Sequence, residues 1–468
     1  MHPMNTFATF DADLLQRYDR PGPRYTSYPT APQFTGTFGE TQMREYARRT
    51  NEAEHRPLSL YLHIPYCSSP CFYCGCNRVI TRDQKKGAEY LLRLQREIAL
   101  TAGLFDPRRE VVQIHIGGGT PNFLRADQLA QLVGSLRTHF NLSGDSARDF
   151  SIELDPRFVE PNDIERLAQI GFNRVSFGVQ DFTPEVQQAI NRIQSVEQTL
   201  AAIDACRANH FRSVNVDLIY GLPLQTPETF RTTLDTLIER RPDRFAIYGY
   251  AHLPQLFKAQ RQIKDEDLPD PTAKLRLLEL AVERLEAAGY QYIGMDHFAL
   301  PEDDLSRAQA TGRLHRNFMG YTTHANCDLV GLGVSAISHI GDSFSQNSRD
   351  LPDWELVIDH GRLPVWRGLE MSIDDRIRAD VIQQLMCHGK IDIGATERRY
   401  EIDFLSYFME ALRRIYPLVT DGLVVVSGNF IMATPRGRPL LRVIAMCFDR
   451  YLEAPTQSEK RPAFSKLI

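Results

Sequence analysis

HIPYCSSPCFYCGCNR, residues 63–78, gathers four of the chain's eight cysteines into ten positions, while the other four are scattered singly. The stretch grows out of SLYLHIP (59–65), a short apolar and aromatic run that reads as a buried strand. Five further runs read the same way: VVQIHIG (111–117), DFSIELD (149–155), RVSFGVQ (174–180), SVNVDLI (213–219) and RFAIYGY (244–250). Between them, segments such as YLLRLQREIAL, LAQLVGSLRTHF and VEQTLAAIDACRANHF place apolar residues three and four apart, the helical spacing. Strands separated by helices call for a parallel sheet, because parallel neighbours need crossover connections. The expected fold is therefore α/β, a partial barrel of six strand–helix units, with a doubly wound open sheet as the alternative.

The strand ends carry the polar chemistry. Cys67, Cys71 and Cys74 follow the first strand, GGGTP (117–121) the second, and Glu153 and Asp155 end the third. Gln180 ends the fourth, Asp217 lies late in the fifth, and Ala251 and His252 follow the sixth. In barrels and open parallel sheets alike, the C-terminal edge is where loops build active sites. A single strand-end carboxylate is most often a helix cap or a surface charge; six such ends on one edge predict a site.

Composition narrows the class. The chain has 468 residues, 43% hydrophobic and 24% charged, which suits a large folded catalytic domain with appendages. No stretch approaches the roughly 20 apolar residues of a membrane helix, and MHPMNTFATFDADLL lacks a signal-peptide layout, so the expected location is the cytoplasm. Thiols stay reduced there, which favours metal or redox roles for clustered cysteines over disulfides. A net charge of −5 argues against a chain built around nucleic-acid phosphates.

Structural zinc sites usually draw ligands from two knuckles a dozen or more residues apart, whereas this set falls in one loop. A redox Cys-x-x-Cys pair is contained in CFYC but leaves Cys67 and Cys76 unexplained. A 4Fe-4S cluster wrapped by one short loop accounts for the spacing better. With three cysteines on three irons, the fourth iron is left open to a chelating ligand.

HIPYCSSPCFYCGC resembles the signature loop of radical S-adenosylmethionine enzymes. Nearly the whole chain resembles the oxygen-independent coproporphyrinogen III oxidase family, in GPRYTSYPTAPQF, LYLHIPYC, CGCNRVITR, IGGGTPNFL, SIELDPR, FGVQDF, VNVDLIYGLP, YAHLP, HRNFMGYTT and GLGVSAISHIGD. The resemblance implies a radical-type partial (β/α)6 barrel over 53–350, an N-terminal arm over the barrel mouth (1–52) and a smaller, mainly helical cap (351–468) with a winged-helix-like layout. It makes Cys67, Cys71 and Cys74 the cluster ligands and excludes Cys76. It places Tyr61, Gly118, Glu153 and Ile337 around a cluster-bound S-adenosylmethionine, with Tyr61 and Glu153 also as catalytic positions. Tyr73, Gly119, Thr120, Gln180, Arg192, Asp217 and Ala251 match positions around a second S-adenosylmethionine.

The implied reaction begins with one electron entering the sulfonium and leaving a 5'-deoxyadenosyl radical. That radical removes a hydrogen from a propionate of coproporphyrinogen III, and loss of carbon dioxide and a further electron leaves a vinyl group, on two of the four propionates. A low-potential electron donor such as a flavodoxin or ferredoxin is expected, with a monomer as the default and neither nucleic acid nor membrane as partner. Substrate carboxylates call for local cations, and Arg24 and Arg316 are the candidates. One departure stands out: Met319 occupies a position in HRNFMGYTT where the family usually has Gln, a soft apolar side chain in place of an amide. The alternative function is a heme-binding chaperone without oxidase activity. Such relatives typically carry an aromatic residue where Cys76 stands and lack the GPRYTSYP arm, which favours the oxidase. In the last third, RADVIQQLMCHGKID, FLSYFMEALRRIYPL and PLLRVIAMCFDRYL are expected helices and LVVVSGNFIMAT a hairpin turning at Gly-Asn. Cys206, Cys327, Cys387 and Cys447 are expected to be buried small hydrophobes.

Overall fold

The computed structural model describes residues 9, 11–53 and 56–452. Six strands run parallel in chain order: β1 (Leu58–Ile64), β2 (Glu110–Gly118), β3 (Asp149–Leu154), β4 (Arg174–Gln180), β5 (Ser213–Tyr220) and β6 (Arg244–Gly249). Their order never reverses, so the switch point that defines a doubly wound sheet does not arise. The fold is the expected partial barrel of six strand–helix units. Beyond β6 the sheet continues through β7 (Gln291–Gly294) and β8 (His297–Ala299), with β8 antiparallel to β6. A separate hairpin follows, β9 (His315–Asn317) with β10 (Gly320–Thr322). On the other edge β11 (Asp328–Leu332) pairs parallel to β1, and β12 (Ile337–Ile340), β13 (Ser343–Asn347) and β14 (Val365–Glu370) carry the sheet past residue 350.

The crossover helices form where the sequence supplies both pattern and ends. Gln84–Ala102 is capped by the Asp83 carboxylate accepting from the Lys85 N–H, and Pro227–Glu239 by Thr226 Oγ1 accepting from the Thr229 N–H. Pro161 opens another helix at a position whose N–H is not needed, and Gly171, at φ +117°, closes it. Their apolar faces meet alternate residues of the strands. Leu60, Leu62, Ile64, Ile152, Phe177, Val216 and Phe245 share one core with Leu94, Leu132, Ile164, Ile203 and Leu234 from the helices.

Because side chains alternate along a strand, the opposite face carries the rest: Ser59, Tyr61, His63, His115, Ser151, Glu153, Ser176, Asn215, Asp217 and Tyr248. This polar face lines the barrel lumen. At its lower end the groups pair with one another, although Arg174 Nε and Nη1 keep no hydrogen-bond partner among the described residues. Arg174 pairs with Asp149 at 3.4 Å and with Asp304, Arg244 with Asp303 at 2.9 Å, and Gln113 bonds Ser59 at 2.8 Å and Thr322 of the hairpin at 3.4 Å. The lumen is thus closed below and open at the C-terminal strand edge.

The last third forms helices, including Ile373–His388 and Met409–Thr420, on a three-stranded sheet of Lys390–Asp392, Val424–Ser427 and Phe430–Ala433. The expected hairpin turns at Gly428–Asn429. The helix expected over 439–452 is shorter, Leu441–Met446. Past Met446 the chain tightens, the Cys447, Phe448 and Asp449 N–H groups each bonding the carbonyl three residues back, and the Arg450 N–H bonds Tyr28 Oη. The N-terminal segment supplies Leu14, Leu15, Tyr25 and Tyr28 to this second core. Cys206, Cys387 and Cys447 are buried as expected, but Cys327 is only half-buried. Among the described residues, no helix is long and apolar enough to cross a membrane.

One buried ion pair ties the N-terminal ends of β2 and β11 together across β1. Arg109, before β2, is fully buried and donates to Asp328 of β11 at 2.5 Å, to the Arg56 carbonyl at 2.7 Å and to Thr50 at 3.0 Å. Asp328 also accepts from the Gly341 N–H. Replacing Arg109 with Met would leave that carboxylate buried without its cation, a loss of about 3–5 kcal/mol. Chemical unfolding followed by circular dichroism checks this; a loss as small as that of Arg44→Ala, an exposed helix pair worth roughly 0.5 kcal/mol, would contradict it.

Candidate active site

The cysteine loop is held from several sides. After β1, the backbone N–H of Thr81 bonds the Cys67 carbonyl at 2.9 Å, and Arg78 donates to the carbonyls of Cys74 at 2.8 Å and Cys71 at 3.0 Å. The His63 ring bridges loop and strand. Its Nε2 lies 2.9 Å from the Asn77 carbonyl, which fixes the proton there and makes Nδ1 the acceptor of the Tyr61 hydroxyl at 3.0 Å. Burial pushes the His63 pKa down and keeps the ring neutral.

Gly118 and Gly119 lie against that same exit. The Gly119 N–H bonds the Ile64 carbonyl at 2.8 Å and the Thr120 N–H the Tyr66 carbonyl at 2.9 Å. A Cβ on Gly119 would come within 2.8 Å of the Pro65 carbonyl oxygen, and Gly118 has φ +119°, so neither position tolerates a side chain. The approach brings Thr120 Oγ1 to 3.3 Å from Cys67 Sγ. On the opposite side Arg192 is buried and reaches Cys71 Sγ at 3.4 Å, Asp155 at 3.0 Å and the Gly178 carbonyl at 2.5 Å. Arg157 completes the clamp on Asp155 at 2.7 Å.

Cys67, Cys71, Cys74, Tyr73, Gly119, Thr120 and Arg192 thereby line one pocket with 350 Å³ of empty space, part of it open to solvent. All eight cysteines are free thiols. The donor set discriminates between zinc and an iron–sulfur cluster. Among the described residues, no three His, Cys, Asp or Glu side chains are placed to hold a metal ion, whereas a tetrahedral zinc site needs its ligands to converge on one point. A multi-iron cluster instead spreads its thiolates over separate irons. Hydrogen bonding from Cys76, with Arg78 beside it, pulls Cys74 down to about 6 and favours its thiolate, whereas burial pushes Cys67 up to about 11. The residues fit an iron–sulfur cluster carried by Cys67, Cys71 and Cys74.

The other expected positions lie on strands of the same sheet or at their exits. Gln260 Nε2 donates to the carbonyls of both Tyr73 (2.9 Å) and Ala251 (3.1 Å), joining the cysteine loop to the exit of β6. Gln180 is buried at φ +70°, a strained conformation for a residue with a side chain. Glu153 accepts from His115 Nε2 at 3.0 Å and from the Gly118 N–H at 3.2 Å, and Tyr61 stacks on His115 at 5.9 Å. Burial opposes charge on Glu153, yet His115 and the Gly118 N–H outweigh it and hold the carboxyl below its ordinary range. Asp217 accepts from Ser176 at 2.9 Å and Asn215 at 2.8 Å. Ile337 opens β12, half-buried.

Sequence reasoning left out His63, Arg78, His115, Arg157 and Gln260 as site residues, and took Asp155 only as a strand-end carboxylate. His63 and His115 had a legible signal, since each alternates in register with an inward-facing strand residue. Gln260 had none, because its role depends on two carbonyls remote in the chain.

The sequence pattern of the radical SAM superfamily matches residues 61–237. The oxygen-independent coproporphyrinogen III oxidase of Pseudomonas aeruginosa is 50% identical over 459 residues, covering 98% of this chain and 99% of the relative. The enzyme of the same name from Escherichia coli strain K12 is 47% identical, with 98% of each chain covered. A solved structure of coproporphyrinogen III oxidase from Escherichia coli, described as a radical SAM enzyme, superposes with a TM-score of 0.90 at 46% identity over 95% of this chain and 99% of that one. The chain belongs to the oxygen-independent coproporphyrinogen III oxidase family of radical S-adenosylmethionine enzymes.

Proposed function

We propose that this chain converts two propionate side chains of coproporphyrinogen III into vinyl groups by anaerobic oxidative decarboxylation, giving protoporphyrinogen IX in heme biosynthesis. The observation that carries this reading is the barrel mouth, where three thiols spread around one pocket in a chain alike end to end with that family. When bound, a 4Fe-4S cluster with S-adenosylmethionine supplies one-electron chemistry and a carbon radical able to take an unactivated hydrogen.

The chain's own residues bind, orient and insulate. Cys67, Cys71 and Cys74 would hold the cluster, and Arg192 would offset its negative charge beside Cys71. The open backbone around Gly118, with Glu153, suits the ammonium group of a first S-adenosylmethionine, and Ile337 offers an apolar wall for its adenine. The joined segments of Tyr73 and Ala251, with Gly119, Thr120, Gln180, Arg192 and Asp217, suit a second such molecule. Tyr61 and Glu153, linked through His115, would be the catalytic positions next to substrate. The division into arm, barrel and cap, a monomeric state, a cytoplasmic location and a flavodoxin- or ferredoxin-like donor belong to the same proposal.

Anaerobic incubation of reconstituted protein with coproporphyrinogen III, S-adenosylmethionine and a reductant is expected to release two carbon dioxide molecules per substrate, and Cys71→Ala to abolish this along with 5'-deoxyadenosine formation. Undiminished 5'-deoxyadenosine from Cys71→Ala, or tight heme binding by the wild type without carbon dioxide release, would falsify the reading.

Asp217 gives a second test. Burial first, then the charge of Glu153, pushes its carboxyl up to about 7, against about 3.9 in an unfolded chain. A raised carboxyl pKa means that the fold disfavours the ionised form, so its cost is absent below about pH 4, grows up to about pH 7 and is constant above. The free Asp217→Asn variant should therefore gain on the wild type between pH 5 and 7, by up to about 1.4 kcal/mol per pH unit. Paired unfolding curves across that range check it, and a gap independent of pH would contradict it.

A further inference from the structure

Among the described residues, four arginines along the lumen are matched to carboxylates and Arg316 is not. Arg24 pairs with Asp296, Arg174 with Asp149, Arg192 with Asp155 and Arg244 with Asp303. Arg316, on β9, is only 5% exposed, and its buried Nε and Nη1 have no hydrogen-bond partner among the described residues. Its guanidinium lies 4.7 Å from the ring centre of Tyr321, the residue opposite it in the hairpin. That ring stands edge-on to His297 at 5.3 Å, and His297 stands edge-on to the lumen-lining Tyr248 at 6.0 Å. His297 Nδ1 is likewise buried without a partner among the described residues. Burial, with the charge of Arg316, lowers this histidine to about 3, so it is neutral at working pH and can donate one N–H.

A buried guanidinium with unused donors is costly in the free protein, by several kcal/mol for an uncompensated ion. The cost is recovered when an anion arrives from outside, and a carboxylate matches guanidinium donors best. We infer that Arg316 is the anchor for a propionate carboxylate of the substrate, with His297 Nδ1 as its neutral neighbour. The inference rests on the functional reading above and names the residue that holds that substrate. It also separates the two arginines that the sequence left equal, since Arg24 already has Asp296 and Arg316 has no such counterpart. The anchor sits in the stem of the β9–β10 hairpin, and the tip carries Phe318 and Met319, with Phe318 edge-on to Phe34 at 6.5 Å and to Phe344 at 5.9 Å. The hairpin would thus offer charge at its base and apolar surface at its tip to a ring bearing carboxylates on its rim.

The test uses reconstituted holoenzyme and coproporphyrin III, the fluorescent oxidised form of the proposed substrate, in equilibrium titrations. Arg316→Met should weaken binding about 100-fold or more, with the cluster absorption and S-adenosylmethionine affinity unchanged. Relieved of an unpaired buried charge, the free variant should also melt about 2–4 °C higher than wild type, whereas an arginine with a structural role would lower the melting point. Should Arg316→Met prove insoluble, Arg316→Lys carries the same test, because a point ammonium keeps the charge but not the spread of donors; about tenfold weaker binding is expected. Binding within twofold of wild type in either soluble variant overturns the anchor alone. A wild-type holoenzyme that neither binds coproporphyrin III nor decarboxylates coproporphyrinogen III overturns the functional reading, and the anchor with it.

Discussion

Six parallel strands laid down in chain order bury one face under their crossover helices and leave the other lined with Tyr, His, Ser, Asn, Asp and Glu side chains. Such groups can lie deep only where they bond to one another, to water or to a ligand. In the lower lumen they bond to one another, through Arg174, Arg244, Gln113 and their carboxylate and hydroxyl partners. Toward the strand exits the wall carries Glu153 and Asp217, each held by hydrogen bonds of its own, and the cysteine loop follows β1.

At the mouth, charge repeats the same logic. Three thiols on one loop would repel one another as thiolates, and three arginines stand close to them. Arg78 holds the backbone of Cys71 and Cys74, while Arg157 and Arg192 are fixed by Asp155 and reach Cys71 Sγ. Asp155 orients both guanidinium groups, so a carboxylate at the end of β3 positions cations for sulfurs at the end of β1. Loop, strand exits and charges therefore act as one unit, and an electron-rich cluster is the chemistry such a unit accommodates.

Much of this was legible in the sequence. Short β-branched and aromatic runs separated by period-3.6 runs located all six barrel strands and their helices, because burial leaves that signature whatever the partner. The spacing of Cys67, Cys71 and Cys74 located the mouth for the same local reason. What depended on contacts between distant segments was not legible. The clamp by Asp155 and Arg157, the bridge from Gln260 to Tyr73 and Ala251, and the continuation of the sheet through β14 need three-dimensional neighbours that no spacing encodes. The bond from the Arg450 N–H to Tyr28, over four hundred residues away, is a further instance. Arg24 and Arg316 looked alike as isolated letters and differ only in which carboxylates surround them.

The central claim is that three protein thiolates hold a four-iron cluster with one iron left for S-adenosylmethionine. Electron paramagnetic resonance of the anaerobically purified, reduced protein, read beside iron and sulfide analysis, tests it most directly. The account predicts about four irons and four sulfides per chain and a cluster signal that changes shape when S-adenosylmethionine is added. Zinc in place of iron, or a cluster signal indifferent to S-adenosylmethionine, would contradict it.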